Sequence, residues 1–286
     1  MKRFVPFLFI CCLSLTGCAA EISPEDAERV AEDIKAYTVR PDLISELKVK
    51  FSSTYRLDGT SNRQVVDFKE QNSYTFELSS KYNYIHFSTS SDRKDKVEET
   101  SSSSSREEWI FIRKKVLYKA VKDKSIGNEV KTFSRIEKYT SAVSEFSSIF
   151  DAYMKKAVEN ADGKEFLDLD TLTDYIDSEY RSGVKYIAKF YSSGDGNLRI
   201  VGGATLDKTT EEGKTAKGAG TLSCKWNDYL LKKAAIGLTV SVTDGTSKND
   251  LKLTVGVNEK VSSFIFPSYP NLNKFAEGNV HLSLYN

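Results

Sequence analysis

A chain of 286 residues with 41 Lys and Arg against 40 Asp and Glu carries a formal net charge of +1, which excludes the general basic excess of a nucleic-acid binder. The length suffices for one large domain or two small ones with a real core. No apolar run reaches the roughly 20 residues that a membrane-spanning helix requires.

Lys2 and Arg3 precede an apolar stretch from Phe4 to about Leu15, the pattern of a targeting segment rather than an anchor. Thr16 and Gly17 then stand before Cys18. The motif Leu15-Thr16-Gly17-Cys18 resembles the lipobox of bacterial lipoproteins, and that resemblance implies removal of residues 1–17 and a diacylglyceryl group on the Cys18 sulfur. The expectation is a lipid-anchored protein on the extracytoplasmic side of a cell membrane or outer membrane, with residues 18–22 as a short tether. Cleavage would leave 269 residues with 39 basic and 40 acidic side chains. Cys11 and Cys12 would leave with the signal, and Cys224 would stay as the one unmodified cysteine, too few for a disulfide framework.

Residues 23–286 are expected to form a single domain. Ser23, Pro24 and Asp26 form a helix start signal, and the stripe of Ala27, Val30, Ala31 and Ile34 predicts a helix over 24–37. From Glu46 the period falls to two and predicts a strand up to a turn at Asp58-Gly59. "VVDF", "SYTFEL", "YNYIHFS" and "EEWIFIRKKVLYKAV" continue as an antiparallel meander, with a tight turn at Arg113–Lys115. Serine-rich residues 88–106 read as a solvated loop. Helices are predicted over 142–158 and 170–180. Strands resume at "GVKYIAKFYSS" and "LRIVGGATL", then, after a polar loop at Asp207–Gly218, at "TLSCKWNDYLLKKAAIGLTVSV" with a turn at Asn227-Asp228. "DLKLTVGV" and "VSSFIF" close the series around an "NEK" turn at 258–260.

Eleven to thirteen strands with few helices point to the α+β class: a large curved antiparallel β-sheet, half-barrel-like, with an N-terminal helix and two mid-chain helices on one face. Such a sheet either is covered fully by its helices and loops or keeps an apolar cavity on its concave side. Trp109, Phe111, Phe190, Trp226 and Phe264, with Tyr186 and Phe266, lie in predicted strands, and the first five are the candidate lining of such a cavity. The order of a helix, a meander, central helices and a second meander, with phrases such as "WNDYLLKKA" and "DLKLTVGVNEKVSSFIFP", resembles the half-barrel of bacterial lipoprotein carriers and related lipid-carrying lipoproteins. That resemblance implies binding or presentation of a lipid or acyl chain without catalysis.

No cofactor motif is present, and no catalytic set emerges. His86 and His281 stand in no HExxH pattern. Cys224 alternates with Leu222 and Trp226 as a small buried residue would. Asp170, Asp174 and Asp177, with Glu165, Asp168 and Glu179 beside them, read as a solvated helix face. The competing expectation is a surface-displayed interaction or adhesion module with a dry core, meeting its partner through the polar loops at 88–106 and 207–218.

Overall fold

The computed structural model describes residues 19–280 except 39, 41–43, 62–63, 128, 140–142, 168–175, 177, 245–248 and 279. The Leu15–Cys18 motif, His281, Asp168, Asp170, Asp174 and Asp177 lie outside the described residues.

In chain order the elements are β1 (Ala20–Ile22), α1 (Pro24–Ala36), β2 (Glu46–Ser61), β3 (Gln64–Ser79), β4 (Tyr84–Asp95), β5 (Thr100–Arg113), β6 (Val116–Ile126) and β7 (Val130–Tyr139). There follow α2 (Phe146–Ala161), α3 (Ser178–Arg181), β8 (Val184–Gly194), β9 (Asn197–Thr209), β10 (Thr215–Asn227), β11 (Leu230–Asp244), β12 (Asn249–Ser262) and β13 (Ala276–Glu277). Among the described residues these thirteen strands form one open sheet in the order β1, β8, β9, β10, β11, β12, β2, β3, β4, β5, β6, β7, β13. Neighbours are antiparallel except β13 and β7. The protein is a sheet-dominated α+β fold.

α1 begins where Ser23 accepts a hydrogen bond from the Asp26 N–H, with Pro24 in the first turn, and it buries Ala27 and Ile34. It lies over β8 and β9, while α2 lies over β2 and β3; we call this side of the sheet the inner face. α2 runs from Phe146 to Ala161 and buries Phe146, Phe150, Tyr153, Met154 and Ala157 against Leu47, Val49, Phe76, Leu78, Ile85, Ile110 and Leu117. Of the second predicted mid-chain helix only the turn Ser178–Arg181 is described as helical.

The expected layout needs correction on the opposite side. Helices on one face do not complete the cover, because the segment after β12 crosses the outer face. Its Phe264, Leu272 and Phe275 pack with Tyr82, Tyr84, Trp109, Phe111 and Ala120, Ser268 O accepts from the Tyr84 hydroxyl at 2.9 Å, and β13 pairs with Arg135 and Ile136. Covered on both faces, β5 buries Glu108, Trp109, Ile110 and Phe111 in succession, which a half-solvated strand cannot do.

Turn and loop expectations also change, and the expected loop at Asp207–Gly218 shrinks to 210–214, because Asp207 pairs with Lys217 and Leu206 with Gly218. Residues 88–106 are not a loop: β4 and β5 pair from Tyr84↔Phe111 out to Asp95↔Thr100, so only 96–99 turn. Main-chain bonds are complete there and the serines bond across strands, as Ser73 Oγ and Ser90 Oγ do at 2.8 Å. Solvated polar side chains suffice where neither face need be apolar. Asp58 and Gly59 stay in β2 opposite Asp67 and Val66, and Asn258–Lys260 lie within β12, paired with Ser52, Phe51 and Lys50. The Arg113–Lys115 turn is present, with Lys114 and Lys115 both at positive φ as a two-residue hairpin requires; the next such turn is at Asp228-Tyr229, one residue beyond the expected place.

Candidate functional site

The five sequence-predicted cavity residues do not meet in one cavity but divide between the two faces of the sheet. Trp109, Phe111 and Phe264 belong to the outer-face cluster, and Trp226 is fully buried in the inner-face core. There its Nε1 donates to the Asp162 carbonyl at 3.0 Å. Trp226 also borders a small polar hollow beside Lys225, and of the five Phe190 lines an apolar open space on the inner face. Tyr186 is packed against the inner core, and Phe266 is exposed.

That space is a groove of about 310 Å³ between α1 and the β8–β9 hairpin, lined by Pro24, Ala27, Ala31, Leu167, Phe190, Leu198 and Ile200 with Glu28, Glu32 and Lys35 along its margin. The groove opens where α1 presents Ala27 and Ala31, while the larger Val30 and Ile34 of the helix pack on the core beside it, so helix and strand surfaces stand apart at that point. Its volume falls at the lower end of the range for small-ligand sites, and its composition, an apolar floor with a few charges, matches theirs. The sequence marked the Ala27–Ala31 stripe as a core face; that the stripe is too thin to fill the space requires the tertiary position of Leu198 and Ile200.

A second inner-face feature is polar. Beyond the reach of α2, the β4–β7 strands carry a hollow of about 580 Å³ lined by Ser91, Ser102, Ser104, Ser125, Glu129 and Lys131. Between it and the α2 core lies a charge cluster: Glu108, fully buried, receives Lys119 Nζ at 2.9 Å and Arg106 at 3.3 Å, and the Tyr153 hydroxyl donates to the same carboxylate. Arg106 also meets Asp123 at 2.9 Å. Cation, carboxylate and phenol satisfy one another, and this arrangement fastens α2 to the sheet rather than exposing a reactive group.

Glu259 is different. It is 1% exposed on the inner face, and neither carboxylate oxygen has a hydrogen-bond partner among the described residues; the Tyr74 phenol faces it outside hydrogen-bonding geometry. Burial first, then the charges of Glu165 and Asp162, pushes its carboxyl up to about 8. Glu165 itself is raised, by burial and then Asp162. The sequence offered no sign of this residue because its triplet resembled a turn.

On the outer face, Glu77 accepts from His86 Nδ1 at 3.3 Å and from Lys48. The His86 bond, opposed by burial and helped by Lys48, holds the Glu77 carboxyl down at about 2. His86 stacks on Trp109 with ring centroids 5.0 Å apart. Cys224 is buried, and burial pushes its thiol up to about 12, the reverse of what a nucleophile needs. Among the described residues no group of three His, Cys, Asp or Glu is placed to hold a metal, and no described helix is long and apolar enough to cross a membrane.

Fold and groove together define a class, an open antiparallel sheet that carries a helix-roofed apolar groove. No protein-family model matches the chain, and no curated protein does. Among solved structures, the transport unit of the Escherichia coli autotransporter AIDA-I aligns at 5% identity over 84% of this chain and 97% of its own, with a TM-score of 0.16. The translocator domain of the Neisseria meningitidis autotransporter NalP aligns at 11% identity over 82% and 93%, with a TM-score of 0.13. At such TM-scores the likeness carries no argument.

Proposed function

We propose that this protein is a membrane-anchored extracytoplasmic lipoprotein, held through a lipid on Cys18, whose half-barrel-like sheet binds a hydrophobic ligand such as a lipid or acyl chain and does no catalysis. The observation that carries the reading is the groove beneath α1. Its apolar floor of Phe190, Leu198 and Ile200 suits a hydrocarbon chain, and Glu28, Glu32 and Lys35 at the margin leave a polar end group hydrated. α1 follows β1 directly, so the groove opens within a few residues of the expected anchor.

The test is native mass spectrometry of the chain from Ala19 onward, followed by solvent extraction. A stoichiometric lipid adduct should appear and be lost on unfolding. Ala31→Phe, which fills the groove, should lower its occupancy at least tenfold with the fold intact by circular dichroism. A clean protein mass, unchanged after incubation with host membrane lipids, would overturn the reading. The anchor is tested apart from the groove: Cys18→Ala should move the protein out of the membrane fraction.

The alternative, an interaction or adhesion module, is favoured by the serine-lined hollow of β4–β7, whose hydroxyls and Lys131 suit a hydrogen-bonding partner. Saturable binding of a polar glycan or protein that leaves the α1 groove empty would support it.

A further inference from the structure

On the outer face, five exposed cations occupy one lateral band across consecutive strands. Arg199 of β9 is the register partner of Lys225 of β10, Lys225 is the partner of Lys233 of β11, and Lys260 of β12 is the partner of Lys50 of β2. All five are exposed. Arg199 lies over the Tyr191 ring at 5.6 Å, and no ion pair to any of the five is found among the described residues. Like charges directly opposite one another on a sheet are destabilising. With strands about 4.8 Å apart, the band concentrates positive charge over roughly 20 Å of an otherwise neutral molecule.

Its position narrows the partner. A hollow of about 250 Å³ is lined by Ala19, Tyr191, Asn197, Arg199, Lys225 and Asn227, so the first described residue borders the cations. Ala20 pairs with Ser192, which places the chain entry at the end of the sheet carrying the β8–β9 turn. The β3–β4 and β5–β6 turns share that end and bear Lys81, Lys114 and Lys115, and beside them Ile265 and Phe266 are 74% and 73% exposed. The same end holds Asp195, Asp228 and Glu21, the last ion-paired with Lys189, whereas the turns at the opposite end hold five glutamates, Glu98, Glu99, Glu129, Glu211 and Glu212, against Lys96 and Lys214.

We infer that this band is a docking surface for the anionic headgroups of a phospholipid bilayer, with Arg199 and Lys225 taking a lipid phosphate beside the point where the chain enters. The inference rests on the membrane-anchored reading for its setting, but it uses none of the residues that form the groove. Cations near an anionic membrane surface each favour binding by about fivefold, salt screens that attraction, and the exposed Ile265 and Phe266 side chains add apolar contact at the interface.

Every described element lies beyond residue 18, so the chain from Ala19 onward contains the whole described fold and can be tested on vesicles of phosphatidylcholine with or without phosphatidylglycerol. Sedimentation should show binding to the anionic vesicles alone, falling as salt is raised. Lys225→Gln with Lys233→Gln should weaken it about twenty-five-fold, at about fivefold per cation. In the absence of vesicles the same double variant should melt no lower than the parent, and up to about 3 °C higher, because a repulsive pair is gone. Lys94→Gln with Lys252→Gln, the same charge change at exposed positions elsewhere on the sheet, should alter binding less than twofold. Ala31→Phe should bind vesicles as the parent does, which separates this surface from the groove; its loss of binding would assign the membrane contact to the groove and overturn the inference. No binding to anionic vesicles, equal loss in the two lysine double variants, or tighter binding to duplex DNA than to vesicles would overturn it as well.

Discussion

Single residues set the pH response of this molecule, and two carboxyls act in opposite directions. Glu77 is held down at about 2 by His86 and Lys48, so its contribution to stability is present above the usual 4.5 and is lost as pH falls towards 2. Glu259 is pushed up to about 8. The folded state therefore holds a proton that the unfolded chain releases near 4.5, and stability declines as pH rises from 4.5 through 8. Glu259→Gln removes the ionisation and should flatten that decline, raising the melting temperature at pH 8 by on the order of 5 °C while changing it little at pH 4. Thermal unfolding of both proteins across pH 4 to 9 checks this, and parallel curves would refute it. The sequence could not have offered this residue as a candidate. Asn258-Glu259-Lys260 has the composition of a turn, and Glu259 is interior because β12 lies between β11 and β2, where it stands beside Ala234 and Phe51 with Glu165 and Asp162 acting on it from distant parts of the chain.

At the scale of elements, α2 is held to the sheet by apolar packing and by one buried charge cluster. Lys119→Met leaves Glu108 buried with Arg106 and Tyr153 but without its closest cation, and should destabilise by about 3 kcal/mol or more. Glu108→Leu combined with Lys119→Met removes both charges and should recover at least half of that loss; urea denaturation of the two single variants and the double variant measures the coupling. Most strands were legible from alternation, as in β2 and β8, where one face is solvated. Alternation fails in β5, since cover on both faces buries Glu108 to Phe111 without a break, and period two cannot say which face is inner, so Trp109 and Ile110 were not separable. The serine-rich stretch misled for the opposite reason. Low apolar content argues against a core, but a long hairpin needs only paired main chains and cross-strand hydroxyl contacts such as Ser73–Ser90. The cation band was invisible for a related cause: Lys50, Arg199, Lys225, Lys233 and Lys260 are scattered along the chain and meet only through sheet order.

For the whole molecule, the strand order divides the sheet into two locally connected meanders, β2 to β7 and β8 to β12, and joins them at one seam where β12 lies against β2. The partners at that seam, such as Leu253 and Leu57 or Val261 and Val49, are 196 and 212 positions apart in the sequence. Each meander can form from neighbouring hairpins, whereas the seam must wait for the last long strand, the slow kind of contact. Residues 19–139 and 143–286 produced as separate chains should therefore recognise one another and co-purify through the β2–β12 pairing and the α2 cluster; two chains that stay apart under native conditions would mean that the covalent link is indispensable. In a ribosomal or export setting the same geometry acts as a clock. Until β12 has emerged, the growing chain holds an unclosed edge at β2, and any factor that delays that strand lengthens the interval in which one half of the molecule can pair with the wrong neighbour.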